Sequence, residues 1–120
     1  MRMWLVDPRL MCSQHLLGEH VELHMLVGSL NRGKRIDGFL EQGLVELRSI
    51  RRRHAELVAE MQRRGFRHQS PLPDFGRRRA GNVDPAANLK ELARRCAACR
   101  MLIGTSRRTN SPRRRGGAEA

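Results

Sequence analysis

The chain has 120 residues, and its 24 lysines and arginines against 12 aspartates and glutamates give it a net charge of +12. This excess favours a polyanionic partner, and nucleic acid is favoured over an anionic membrane because no segment approaches the roughly 20 apolar residues of a membrane span. Aromatic residues make up only 3% of the chain, which is too few for a platform that stacks single-stranded bases. The N-terminus lacks the pattern of a signal peptide, and three cysteines, an odd number, suit the reduced thiols of the cytoplasm.

The pattern of apolar residues predicts an all-α domain of about three helices over residues 1–104. Residues 1–6 are expected to form an extended arm, followed by Asp7-Pro8, which is typical of an N-cap with proline at the first helical position. The first long helix is predicted over about residues 13–30. The second follows Gly43 and ends at Gly65-Phe66, a C-terminal cap signature.

The second half of the chain predicts one more helix between two irregular segments. Residues 69–83 are rich in proline, glycine and arginine and are interpreted as a linker. Asp84-Pro85 then repeats the pattern of a cap followed by proline, and a third helix is expected to continue to about Ile103. Residues 105–120 are basic and have little to bury, so we expect a disordered tail.

The first predicted helix carries a polar stripe that could perform chemistry. At helical pitch His15, Glu19 and Glu22 lie on one side, with Gly18 beside them. Because glycine has no side chain, Gly18 leaves a gap in which a ligand or another segment could approach the Glu22 carboxylate. Spacing alone favours the simpler interpretation, a solvated acidic face with one histidine.

Cys96 and Cys99 have the spacing of metal ligands or of a redox pair, but they also complete the apolar stripe of the third helix. A tetrahedral zinc site needs four ligands and no second Cys-x-x-Cys is present, so we predict core packing, with no metal and no cofactor. If a metal were bound, the missing ligands would be sought among Cys12 and the histidines.

The histidines of the first two helices give a weaker signal. His20 and His24 lie four residues apart and could form half of a metal site, but no pattern of carboxylates completes it. His54 lies on the apolar stripe of the second helix, which predicts a hydrogen-bonded core residue. Four arginine clusters favour phosphate contacts over a merely solvated surface; they are residues 51–53, 63–64, 77–79 and 113–115.

Several segments, in the same order, carry a resemblance to a known family. They are Gln14-His15-Leu16, Glu19 with Glu22-Leu23, Gly33-Lys34-Arg35-Ile36, and Glu56-Leu57-Val58-Ala59-Glu60 followed by Arg64-Gly65-Phe66. The first two resemble the first helix of the pyrimidine-dimer DNA glycosylases, the phage endonuclease V family. The third looks like the Gly-Lys-Arg-Val that follows that helix, and the last is similar to the second long helix and its cap. The resemblance covers about residues 1–66.

The family excises one base of a cyclobutane pyrimidine dimer and then nicks the abasic strand, and its nucleophile is the N-terminal α-amine, which forms a Schiff base at sugar C1′. The resemblance therefore implies that the amine of Met1 is the nucleophile and that Glu22 assists sugar opening and proton transfer. Met1 is expected to be retained, because Arg2 is too bulky for methionine excision. A terminal amine is a weaker base than a lysine, so a larger fraction is neutral at neutral pH. Two family arginines that grip DNA correspond here to Val21 and Met25.

We therefore expect a DNA-repair glycosylase with abasic-site lyase activity on pyrimidine dimers or related base damage. It is expected to act on double-stranded DNA as a cytoplasmic monomer, without a cofactor and without binding membranes. The expected DNA-binding residues are Arg2, His15, Lys34, Arg35, Arg63 and Arg64. The alternative is a small basic nucleic-acid-binding protein that keeps the same scaffold without catalytic activity.

Overall fold

The structure, a computed structural model, describes residues 1–67 and 70–109, and within them it is helical and contains no strand. The α-helices are α1 (Ser13–Asn31), α2 (Asp37–Glu41), α3 (Ile50–Arg63), α4 (Pro85–Arg95) and α5 (Ala97–Thr109), with 3-10 turns at Pro8–Leu10 and Leu47–Ser49. The all-α prediction is confirmed, but these residues form five α-helices instead of three. Over the same residues, none of the helices combines the length and the apolar character that crossing a membrane requires.

The core lies mainly between α1 and α3, the pair of helices with the most extensive contact. Leu16, Leu23 and Leu26 of α1 are buried against Ile50 and Leu57 of α3. Each leucine removed from water contributes roughly 1.5–3 kcal/mol, so this seam is a main source of stability for a domain of this size. The first helix was predicted over about residues 13–30, and α1 agrees with this to within one residue at each end.

The end of α3 confirms the predicted cap. Gly65 has a φ of 90°, a conformation that glycine adopts without steric cost. Its N–H donates to the Gln62 carbonyl at 3.0 Å, and the N–H of Phe66 donates to the Met61 carbonyl at 2.8 Å. These two bonds form a Schellman motif, which satisfies carbonyls that the helix end would otherwise leave unpaired.

The predicted third helix is wrong as a single element. Asp84 caps α4 as expected, accepting hydrogen bonds from the backbone N–H groups of Ala86 and Ala87. At Cys96, however, the backbone turns to an extended conformation with φ −131° and ψ 115°, and α5 begins at the next residue. The end predicted near Ile103 is also wrong, because α5 continues to Thr109 and so includes the start of the predicted tail. The rest of that tail, residues 110–120, lies outside the described residues.

The predicted linker is a packed segment in the part that the structure describes. Phe75 and Val83 are buried, and the Val83 N–H donates to Glu46 Oε1 at 2.9 Å. Gly81 passes so close to the main chain that a Cβ there would lie 2.3 Å from the Val45 carbonyl oxygen. These contacts hold the residues before α4 against the start of α3, and this path brings α4 to the N-terminal arm.

A buried ion pair joins α3 to α1. Arg53 Nε and Nη2 donate to the two carboxylate oxygens of Glu19 at 2.7 and 2.8 Å, and the side chains are 1% and 0% exposed. Burial raises the pKa of the Glu19 carboxyl, and the Arg53 guanidinium opposes part of that rise. Glu19 therefore belongs to a buried ion pair, although helical spacing had placed it on one polar stripe with Glu22.

The Arg53–Glu19 pair generates the first prediction. Glu19→Gln should destabilise the domain by about 3–5 kcal/mol, because it leaves the Arg53 guanidinium buried without its counter-charge. The free energy of unfolding can be measured by urea titration followed by circular dichroism. Asp37→Asn, which removes the exposed partner of Arg35, is the matched control and should cost less than about 1 kcal/mol. Equal costs for the two variants would contradict the structural role given to the buried pair.

Candidate active site

The N-terminal arm, residues 1–7, is held tightly although it has no regular secondary structure. Met3, Trp4 and Val6 are buried, and the Met3 N–H donates to the Leu44 carbonyl at 2.7 Å. Leu5 has a φ of 53°, a left-handed conformation that costs a non-glycine residue about 1–2 kcal/mol. The surrounding contacts must supply that energy, so the arm has one defined path across the domain.

The first residues of the arm lie beside the predicted carboxylate on α1. The backbone N–H of Arg2 donates to Glu22 Oε1 at 2.8 Å. Three covalent bonds separate that nitrogen from the Met1 amine, so the amine lies within about 6.5 Å of the same oxygen whatever the torsion between them. The structure thus brings together the two groups that the sequence analysis named as nucleophile and proton carrier.

The surface next to Glu22 is open at the position of the α1 glycine. A Cβ placed on Gly18 would meet no heavy atom within 4 Å. Gly18 and Glu22 are one helical turn apart and share a side of α1. A bound molecule could therefore reach the carboxylate from this side without moving the backbone.

The side chain of Arg2 packs against the domain. Its Nη2 donates to Asn88 Oδ1 at 3.2 Å, and its guanidinium carbon lies 4.4 Å from the centroid of the Trp4 ring. Burial and the neighbouring positive charge of Arg95 lower the pKa of Arg2. The guanidinium therefore helps to fix the arm, and its predicted contact with DNA stays a prediction.

Asn88 of α4 is a positioning residue that the sequence analysis missed. It is buried, and its Nδ2 donates to the carbonyls of Met3 at 3.2 Å and of Trp4 at 2.9 Å while its Oδ1 accepts from Arg2. One amide thus binds three consecutive residues of the arm. The available signal was a polar residue four positions before the buried Leu92, on the side of the helix that faces the core.

His15 lies with the three cysteines of the chain, and its predicted contact with DNA stays a prediction. Its Nδ1 is 3.3 Å from Cys12 Sγ and 3.7 Å from Cys99 Sγ, and Cys12 Sγ is 3.9 Å from Cys96 Sγ. These four ligand atoms all lie within 4.8 Å of one another. A hydrogen bond from the Cys99 backbone lowers the pKa of the Cys96 thiol, whereas burial raises that of Cys99 to about 12.

A second group of possible ligands lies between α1 and α3. His20, His24 and His54 have ligand atoms within 4.8 Å of one another, and their ring centroids are 4.8–5.2 Å apart. The spacing of residues along the chain relates His20 to His24 but not to His54, because only the contact between α1 and α3 brings the third histidine close. Three imidazoles at these distances could hold a metal ion.

The predicted DNA-binding residues of the later segments divide into exposed and packed side chains. Lys34 is exposed, and Arg35 is exposed beside its partner Asp37. Arg63 is exposed and paired with Glu60. Arg64 is mostly buried, and its guanidinium donates to the carbonyls of Pro8 and Met11 and to Ser13 Oγ. Arg64 therefore joins residues 8–13, which follow the arm, to the end of α3.

The structure also gathers arginines that the sequence placed in separate clusters. Arg48 and Arg51 line one groove together with the exposed residues Arg77, Arg78 and Arg79. We call these five residues the arginine groove. A larger groove of about 530 Å³ lies between the arm and α3, but it mixes acidic with basic residues and does not include Met1, Arg2 or Glu22.

Asn88 gives the second prediction. Asn88→Ala should destabilise the domain by about 1–3 kcal/mol, because it removes the hydrogen bonds of the buried Met3 and Trp4 carbonyls. It should also loosen the arm, which hydrogen exchange of the Arg2 amide would report as faster exchange. Lys90→Ala, at an exposed position of the same helix, should change stability by no more than about 0.5 kcal/mol and leave Arg2 protected. Unchanged protection in Asn88→Ala would contradict the positioning role.

Comparison with known proteins identifies a family. Residues 1–74 match the family model described as pyrimidine dimer DNA glycosylase. The matched stretch contains the arm, α1, α2 and α3, with Met1 and Glu22, and it ends before α4 and α5, which supply Asn88, Cys96 and Cys99. Neither the curated proteins nor the solved structures contain a significant match to the chain.

Proposed function

The chain belongs to the pyrimidine dimer DNA glycosylase family, and on that premise we propose that it removes damaged pyrimidines from double-stranded DNA and cleaves the resulting abasic strand. The observation that supports the proposal is the hydrogen bond from the Arg2 N–H to Glu22 Oε1, because it keeps the terminal amine within about 6.5 Å of a carboxylate. A nucleophile and a proton carrier in reach of one another are the minimum that Schiff-base chemistry needs.

In the proposed reaction the neutral Met1 amine attacks sugar C1′. The glycosidic bond breaks, and the base leaves with the bonding electrons and takes up a proton. Loss of a proton from the attacking nitrogen, followed by opening of the C1′–O4′ bond as O4′ takes up a proton, then gives the protonated Schiff base. This imine acidifies the C2′ hydrogen, and removal of that proton expels the 3′ phosphate and cuts the strand.

Glu22 suits the proton transfers in this sequence. The Arg2 N–H binds Oε1, and within residues 1–67 and 70–109 no hydrogen bond to the second carboxylate oxygen is found, so we assign that oxygen to the sugar. The open surface at Gly18 gives the substrate a path to it. The neighbouring acid on α1, Glu19, is buried against Arg53, so Glu22 is the carboxylate of this helix that we assign to catalysis.

The basic side chains supply the proposed attraction to DNA. The chain carries a net charge of +12, and the arginine groove together with Lys34 and Arg35 offers exposed cations for phosphate contacts. Three of these arginines also pair with a carboxylate: Arg35 with Asp37, Arg48 with Glu46 and Arg51 with Asp74. Each phosphate that is neutralised on duplex DNA should contribute about 0.9 to the slope of log K against log salt. Arg64 is left out of this interface because its guanidinium already donates to Ser13 Oγ and to the carbonyls of Pro8 and Met11.

One observation favours the alternative, a nucleic-acid-binding protein without catalytic activity. Val21 and Met25, which stand where the family has arginines that grip DNA, are 55% and 54% exposed on α1. Two apolar side chains cannot make ionic contacts with phosphates, so any contacts of α1 with DNA differ here from those of the family. The next two predictions separate a binding protein from an enzyme.

The third prediction tests the nucleophile. Reduction with borohydride should cross-link the unmodified chain to abasic DNA, because it converts the imine to a stable amine. Acetylation of the Met1 amine should abolish the cross-link while leaving every arginine free, so binding to DNA should keep its dependence on salt. Cross-linking by the acetylated chain would assign the reaction to a lysine, and the sequence contains only Lys34 and Lys90.

The fourth prediction concerns Glu22. Glu22→Gln keeps the size of the side chain but cannot carry a proton in the same way, which should slow base excision by about 10²–10⁴-fold. Binding to DNA should change little, and both can be measured by single-turnover kinetics and by titration. Glu41→Gln, which removes an exposed carboxylate on α2, is the control and should keep the full rate. A Glu22→Gln variant with the full rate would contradict the assignment.

A further inference from the structure

Two helices of this domain begin with the same arrangement of possible metal ligands. Cys12 is the N-cap of α1 and is followed three residues later by His15. Cys96 directly precedes α5 and is followed three residues later by Cys99. A Cys-x-x-His pair and a Cys-x-x-Cys pair, each at the start of a helix, form the usual ligand pattern of structural zinc sites.

The two pairs converge at distances that fit one metal ion. In a tetrahedral site, Zn–S bonds of about 2.3 Å and Zn–N bonds of about 2.0–2.1 Å place two sulfurs about 3.8 Å apart and a sulfur about 3.6 Å from a nitrogen. The distance between Cys12 Sγ and Cys96 Sγ is 3.9 Å, and His15 Nδ1 lies 3.3 and 3.7 Å from Cys12 and Cys99 Sγ. The agreement holds for three distances that involve all four residues.

The backbone around the cluster supports the same conclusion. The segment that crosses Cys96 contains alanine, arginine and leucine and no glycine or proline, so its intrinsic preference is for one continuous helix. The chain nevertheless leaves the helical conformation at Cys96, which places that residue at the start of α5. The Cys12 N–H also donates to Cys99 Sγ at 3.2 Å, and such bonds stabilise a metal-bound thiolate.

We propose that Cys12, His15, Cys96 and Cys99 bind a single zinc(II) ion in a structural site. Three sulfurs and one imidazole are a ligand set that zinc prefers, and four protein ligands leave no open coordination position for a substrate. Cys99 is fully buried and the other three residues are half-buried, so the ion would be largely shielded from solvent. An iron–sulfur cluster would need a wider arrangement than these distances allow.

The site has a defined connection to the N-terminus. The His15 ring stands edge-on to the Trp4 ring, with centroids 6.0 Å apart, and the Arg2 guanidinium lies over the same Trp4 ring, 4.4 Å from its centroid. Binding of zinc would therefore fix the start of α1 and the arm against α5. It would also join Cys12 and His15, inside the segment that matches the family, to Cys96 and Cys99 beyond it. The inference does not depend on the proposed enzymatic activity.

The first experiment uses the unaltered full chain. Purification under reducing conditions without chelators should give about one zinc per chain by elemental analysis, and the three thiols should react slowly with a thiol reagent until a strong chelator is added. Cobalt(II) added to the metal-free chain should give the visible absorption of a tetrahedral ion and a thiolate charge-transfer band. Absence of bound zinc together with a cobalt spectrum that lacks the thiolate band would overturn the proposal. A disulfide between Cys12 and Cys96 that persists in the chain purified under these conditions, seen by mass, would do the same.

Variants then assign the site. His15→Ala should lower zinc affinity by at least about tenfold, whereas His15→Cys supplies a fourth sulfur and should retain the ion with a stronger thiolate band. His24→Ala, in the cluster of three histidines, is the matched control and should keep the full zinc content. Loss of zinc in His24→Ala but not in His15→Ala would place the metal at the histidine cluster and overturn the assignment. The zinc and cobalt measurements on the unaltered chain do not require any variant to fold, so a variant that fails to fold leaves their result unchanged.

Discussion

The buried guanidinium of Arg53 is the interaction on which the arrangement of this domain depends. It binds both oxygens of Glu19 on α1, and its Nη1 also donates to the Val6 carbonyl of the arm at 2.6 Å. Removing a charge from water costs several kcal/mol, roughly, and only a paired and fully hydrogen-bonded geometry compensates for it. One side chain of α3 therefore fixes two other parts of the chain at once, which an apolar residue of the same size could not do with the same directionality.

The arm illustrates a general problem of extended chain in a small helical protein. Outside helices and sheets, main-chain carbonyls need donors from elsewhere, and a buried carbonyl without one is costly. Here three side chains are those donors. Asn88 donates to the carbonyls of Met3 and Trp4, and Arg53 donates to that of Val6. Arg64 donates to the carbonyls of Pro8 and Met11, just after the arm. The path of residues 1–11 is thus determined by polar contacts from α3 and α4, and this precision places the terminal amine beside Glu22.

Sequence patterns predicted the elements whose causes are local. The spacing of Leu16 and Leu23 identified α1, and Gly65 identified the end of α3, because period and cap chemistry act within a few residues. The break at Cys96 could not be predicted, since helix propensity favours the opposite. Sequence spacing also could not predict that Glu19 is buried against Arg53 while Glu22 binds the arm, because contacts between distant parts of the chain decide which carboxylate pairs with Arg53. The Cys-x-x-His spacing of Cys12 and His15 is visible in the sequence, but it indicates a metal site only when the fold brings Cys96 and Cys99 beside it.

The donor that reaches Glu22 belongs to the main chain, and this has a consequence for how the protein can vary and be handled. Every amino acid except proline presents the same N–H at position 2, so a substitution of Arg2 would keep this donor to the carboxylate but lose the contacts of the guanidinium with Asn88 and Trp4. The proposed role of the Met1 amine sets a stricter limit at the N-terminus. An affinity tag or fusion partner joined to Met1 would turn the amine into an amide and remove the proposed nucleophile, so a tag used to test the proposal belongs at the C-terminus.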